Sequence, residues 1–124
     1  MQGMRRFFLA MVLVVATAAS AAAAGRHHSK RWYQDRWCAK NFSGPGLTVG
    51  RHYDCETGTY VIEFDYADHW YESIGESLYY AMKTGKKAGI VLIMERPGDA
   101  KYWEKLNHTI RFYRLPITTW STAP

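Results

Sequence analysis

Few of the familiar catalytic signatures occur in this chain. It has no phosphate-cradling glycine loop, no HExxH zinc helix and no serine-nucleophile elbow, which excludes the chemistries those patterns serve. Only two cysteines occur in 124 residues, and no second Cys/His pair has zinc-like spacing, which argues against a structural zinc set. No repeat is visible. Charge of one sign is also scarce: with Arg5 and Arg6 set aside, fourteen basic residues face eleven acidic ones. That mild surplus permits a phosphate-bearing partner without demanding one.

What is present begins with a leader. Arg5 and Arg6 precede a nearly all-apolar stretch from Phe7 to Ala19, and small residues run on to Ala24. A basic head, a short apolar centre and small residues before a cut describe a secretory signal peptide over 1–24. The apolar centre is shorter than the roughly 20 residues of a spanning helix, so no membrane span is expected after cleavage. The expected location is therefore secreted or periplasmic. Residues 25–30 (Gly-Arg-His-His-Ser-Lys) read as a flexible basic lead-in, and residues 31–124 as one compact domain.

Both cysteines lie in the exported part. In an oxidising compartment Cys38 and Cys55 are most simply a disulfide that ties a first helix to the core side of a hairpin. The chain-entropy model assigns a loop of this length about 3 kcal/mol.

The hairpin organises the chain. From Arg51 to Tyr66 the sequence reads as two strands joined at Thr57-Gly58. Tyr60, Ile62, Phe64 and Tyr66 alternate with Val61, Glu63 and Asp65. A two-residue turn at Thr57-Gly58 sets Asp54 opposite Val61 and His52 opposite Glu63. His52, Asp54, Glu63 and Asp65 then share one face, with Tyr53 and Cys55 on the aromatic face behind. Asp54 and Glu63 become diagonal neighbours, roughly 7 Å apart between backbones. Two carboxylates so placed can converge on a hard divalent cation, or they can simply line a solvated face.

The remaining elements follow from periodicity and punctuation. Lys30 to Lys40 has helical spacing of its large apolar groups and must stop at Ser43-Gly44-Pro45-Gly46. Leu47 to Val49 is a candidate edge strand. Asp68 is placed to cap a helix from His69 to about Thr84, with Gly85 as its stop. Its expected buried stripe is Trp70, Ile74, Leu78 and Ala81, and a second stripe carries Glu72, Glu76, Tyr80 and Lys83. Lys83, Lys86 and Lys87 cluster around the helix end, where they either grip phosphates or complement the helix dipole. Gly89 to Glu95 is an apolar run typical of a central parallel strand. A third helix is expected over Ala100 to Tyr113, with a stripe of Trp103, Leu106, Ile110 and Tyr113. Leu115-Pro116 ends it, and Ile117 to Trp120 forms a last strand. The predicted fold is α/β: a small mixed sheet with an antiparallel hairpin and parallel crossovers, in the order α-β-β-α-β-α-β.

That order, with Asp54 followed by Glu63-Phe64-Asp65 on the hairpin, resembles the PD-(D/E)XK nuclease superfamily, the restriction-endonuclease fold. Gly75-Glu76-Ser77-Leu78-Tyr79-Tyr80 on the next helix is similar to the Gln-x-x-x-Tyr motif of RecB-type nucleases. The resemblance covers Arg51 to Glu95, under half the chain. It implies Asp54 and Glu63 as ligands of Mg2+ or Mn2+, with Asp65, Glu76 and Tyr80 in the catalytic set. The clustered Lys83, Lys86 and Lys87 would then be the groups that bind the substrate, a nucleic acid or other phosphodiester. Asp65 stands where the motif has lysine and Glu76 where it has glutamine. His69, Lys83, Lys86 or His52 are the candidates to replace that lysine. The expected function is an exported metal-dependent nuclease-like phosphodiesterase. The alternatives are a non-catalytic exported or envelope-associated binding module on the same fold, and a disulfide-stapled structural protein.

Overall fold

The computed structural model describes residues 25–42 and 55–124. Its elements run α1 (Lys30–Asn41), β1 (Cys55–Glu56), β2 (Tyr60–Tyr66), α2 (Trp70–Thr84), β3 (Lys87–Ile93), α3 (Ala100–Tyr113) and β4 (Ile117–Thr122). This is the expected α/β order. One four-stranded sheet has the order β1-β2-β3-β4. The β1–β2 pair is antiparallel, and β2–β3 and β3–β4 are parallel, joined through α2 and α3.

The hairpin turn lies one residue later than the sequence suggests. Cys55 pairs with Ile62 and Glu56 with Val61, so the reversal is centred on Gly58-Thr59. Thr57 fixes it: its backbone amide donates to Tyr60 O at 2.8 Å, and its hydroxyl accepts the amides of Thr59 and Tyr60. Moving a turn by one residue moves the pairing by two, and a shift of two leaves every side chain on its face. Val61, read as the partner of Asp54, pairs with Glu56 instead, while the face assignment of β2 stands. Asp54, His52 and the Leu47–Val49 stretch lie outside the described residues.

The sheet separates two cores. On one face Tyr33, Trp37 and Cys38 of α1 pack with Cys55, Ile62, Phe64, Val91 and Ile93. The Cys38–Cys55 disulfide, with a Cα–Cα distance of 6.5 Å, joins α1 to β1 inside this layer. On the other face Ile90 and Leu92 meet Leu106 and Ile110 of α3, with Trp70 and Ile74 of α2 alongside. Every side chain of β3 after Lys87 is buried, as its apolar run predicts.

Three expectations about the helices change. The fully buried residues of α2 are Ser73 and Ser77, while Trp70, Ile74, Leu78 and Ala81 are each only half-buried. Two serines one turn apart let the helix backbone approach the sheet. Their hydroxyls donate to Trp70 O and Ile74 O of the same helix, so no polar group is stranded. Asp68 does not cap α2. It lies in a single 3-10 turn before the helix, and its carboxylate accepts both 2.8 and 3.0 Å bonds from Arg26. Tyr113, expected in the α3 stripe, is the last residue of the helix and is 67% exposed.

Residues 25–30, read as a flexible lead-in, are bound to the domain. Arg26 lies over the Tyr66 ring at 3.8 Å, the amides of His27 and His28 donate to Glu95, and Arg96 donates to Gly25 O. Ser29 then caps α1 by accepting the Trp32 amide.

Candidate metal centre

Glu63 and Asp65 leave the same face of β2, two residues apart, and each is only 6% exposed. Across from them α2 presents Glu76, on a helix whose buried residues nearest it, Ser73 and Ser77, are small enough to allow a close approach. One carboxylate oxygen from each of Glu63, Asp65 and Glu76 lies within 4.8 Å of the others. Two of the three are buried and the third is exposed, so the group opens to solvent at Glu76.

Clustered acids oppose one another's ionisation. Burial is the main cause that pushes the Asp65 pKa up, to about 6, and the Glu76 charge adds to it. Lys30 and His69 work in the opposite sense. The Lys30 ammonium lies 3.3 Å from Asp65 Oδ1. His69, the residue before α2, pairs with Glu72 at 3.2 Å. Tyr80 lies half-buried one helical turn beyond Glu76.

The lysine cluster is elsewhere. Lys87 pairs with Tyr60 in the sheet, five residues before Asp65, which is about 16 Å along the strand. Lys86 is committed to the hairpin: its ammonium donates to Thr57 O at 2.6 Å and pairs with Glu56 at 2.7 Å. Lys83 is exposed, 5.5 Å above the Tyr79 ring. Three lysines adjacent in sequence thus gather at the opposite end of the strand from Asp65, rather than on the acids.

Lys30 is the residue that sequence reasoning missed. The helical spacing from Lys30 to Lys40 places it at the start of α1, but its contact with Asp65 bridges elements on opposite faces of the sheet, which no local period encodes. Ser29, which caps α1 by accepting the Trp32 amide, fixes where that helix begins.

The donor set fits a hard divalent cation. Carboxylate oxygens suit Mg2+ and Mn2+, and oxygens around such an ion lie about 3–4 Å apart, so small side-chain rotations from the observed spacing suffice. Among the described residues no other group of three potential ligands is so arranged. No helix among them is long and apolar enough to cross a membrane. The chain matches no family model, no curated protein and no solved structure.

Proposed function

We propose that this is an exported, divalent-cation-dependent phosphodiesterase of the nuclease-like type, with Glu63, Asp65 and Glu76 as the cation's protein ligands. The observation that carries the reading is the convergence of these three carboxylates from β2 and α2. Glu76 occupies the glutamine position of the helix motif that the sequence resembles, and it faces the acids of the strand motif. The disulfide and the leader support an oxidising, secreted or periplasmic destination.

A bound Mg2+ or Mn2+ would polarise a phosphate and lower the pKa of water. The chain's own residues prepare the site. Lys30 keeps Asp65 ionised against burial, and supplies a cation beside the position where the motif lysine is replaced by Asp65. Exposed Glu76 leaves one side of the group open to solvent. The small, buried side chains of Ser73 and Ser77 let α2, the helix that brings Glu76 to the acids, lie close to the sheet. A second reading, cation binding without turnover, draws on the depth of Glu63 and Asp65, each 6% exposed, which restricts the approach of a polymer to them.

The test uses the mature protein with plasmid and single-stranded DNA or RNA in Mg2+, Mn2+ or chelator, beside Glu63→Gln, Asp65→Asn and Lys30→Met. Metal-dependent cleavage lost in the first two variants is the expected result. Cleavage that survives chelator, or is equal in all variants, removes the proposal. A manganese-induced rise in melting temperature with no cleavage selects the binding-only reading.

A further inference from the structure

The outward face of α3 carries charge and rings that the acid group does not use. Lys101, Lys105, His108 and Phe112 recur at i, i+4, i+7 and i+11, which places them on one stripe along the helix. All four are exposed, and Phe112 is 71% exposed. His108 stacks on the Phe112 ring, with centroids 6.4 Å apart and planes 13° from parallel. The Lys101 and Lys105 ammonium groups lie 4.8 and 5.8 Å from the centroid of the Tyr102 ring. Lys101, Lys105, His108 and Arg111 line a shallow groove of about 920 Å³, together with Trp70 and the acid Glu104.

The charge here is not neutralised locally. From Ala100 to Arg114 the chain carries Lys101, Lys105, Arg111 and Arg114 against the single acid Glu104. None of these four cations is within ion-pair distance of an acid among the described residues, whereas Arg26, Lys30, Arg31 and Lys86 all are. Unpaired cations interleaved with exposed aromatic rings are the composition of a track that takes phosphates on its charges and bases on its rings.

We infer that the outer face of α3 binds single-stranded nucleic acid, with Lys101, Lys105 and Arg111 on phosphates and Phe112 as a stacking platform. The inference extends the phosphodiesterase reading, for which this face is a substrate-holding surface apart from the acids. It does not depend on turnover. An anionic bilayer offers the same charge. The single strand is favoured because the exposed rings are set among the cations and do not form a separate apolar face.

The experiment measures anisotropy of a fluorescein-labelled oligo-dT with the intact mature protein, in chelator, across a salt series. Lys101→Glu/Lys105→Glu is expected to weaken binding at least tenfold. The neutral pair Lys101→Gln/Lys105→Gln should reduce the slope of log K against log salt by about 1.4. Phe112→Ala should weaken binding several-fold without changing that slope. Lys40→Glu, on the helix of the opposite face, serves as the charge control and should match wild type within twofold. These residues are exposed, and unchanged melting curves verify folding. Equal affinity in the Lys101/Lys105 variants overturns the inference, as does binding to phosphatidylglycerol vesicles without binding to the oligonucleotide. Glu63→Gln separates the two claims: it should abolish the manganese shift and leave oligonucleotide affinity in chelator intact. Loss of cleavage alone would count against the phosphodiesterase reading and not against this surface.

Discussion

Lys30 Nζ stands 3.3 Å from Asp65 Oδ1, although α1 packs on one face of the sheet and the Asp65 carboxylate belongs to the other. The pair is asymmetric: the Asp65 side chain is 8% exposed and that of Lys30 38%. Solvent therefore screens the lysine end, and the pair contributes less than a dry ion pair. Lys30→Met should cost about 1 kcal/mol at pH 8, where Asp65 is ionised. The loss should be close to nothing at pH 4, where that carboxyl holds its proton. Urea unfolding in chelator measures both, and an equal loss at the two pH values would show that Lys30 acts only through packing.

Asp65 itself makes a pH prediction with an unusual sign. Its folded pKa, about 6, lies above its ordinary value of 3.8. The native state then holds a proton that the unfolded chain releases first, so stability is greatest below 3.8 and declines as pH rises to about 6. The decline is at most about 3 kcal/mol, from two units at about 1.4 kcal/mol each. Asp68 and Glu95 act oppositely, their pKa values being held down, and their contribution is lost only on acidification below the ordinary carboxylate range. Asp65→Asn should flatten the metal-free stability profile between pH 4 and 6 and abolish the manganese shift above it. A variant that keeps the downward slope would place its origin in another group.

Tyr33 and Glu95 anchor the start of the chain. Glu95 Oε1 accepts from the Tyr33 hydroxyl at 2.8 Å and from the His27 and His28 amides at 2.9 and 3.3 Å. Burial pulls the Glu95 pKa up, but these donors together outweigh it and hold the carboxyl below its usual range. Burial and the same contact push the Tyr33 hydroxyl far above its usual value. Tyr33→Phe should cost about 2 kcal/mol at pH 7, the scale of a hydrogen bond to a charged group. Glu95 is depressed in the folded state, so its contribution is present above 4.5 and disappears as pH falls through the folded pKa. Hydrogen exchange at His27 and His28 should accelerate in the variant. Unchanged protection there would mean that Arg26 and Arg96 suffice to hold the segment.

Much of this fold was legible because its signals are local. Alternation in Tyr60–Tyr66 fixed which side of β2 each acid takes, and a one-residue error in the turn could not disturb it. Gly85, in the left-handed region at φ 69°, stops α2 where a glycine was expected to. Helical offset then makes it readable that Glu76 borders the strand acids. Contacts between layers were not legible. The lysines at 83, 86 and 87 are neighbours in sequence, yet parallel register carries them to the far end of β2. Asp68 carried a capping signal, and a distant Arg26 claimed its carboxylate. Ser73 and Ser77 were hidden for a different reason: a helix pressed against a sheet needs small residues at its closest point, and hydropathy scores them as surface.

Two glycines test that last idea about close approach in opposite directions. Gly89 lies mid-β3 between Ile62 and Trp120. A Cβ there would stand 2.8 Å from Trp120 Cζ3 and 3.1 Å from Ile62 Cγ1. The Trp120 ring also packs against Trp37, Phe42 and Tyr60, so it cannot retreat without disturbing that aromatic cluster. Gly89→Ala should therefore destabilise the domain by about 1–3 kcal/mol, the usual cost of overpacking a core. Gly75 lies mid-α2, exposed, with nothing within 4 Å of the position its Cβ would take. Gly75→Ala should stabilise by about 0.5–1 kcal/mol, because alanine restricts the unfolded chain and suits a helix interior. Chemical denaturation of the two variants reads both signs. If Gly75→Ala also destabilised, something outside the described residues would have to lie against that side of α2, and a Gly89→Ala with wild-type stability would mean that Trp120 has room to move.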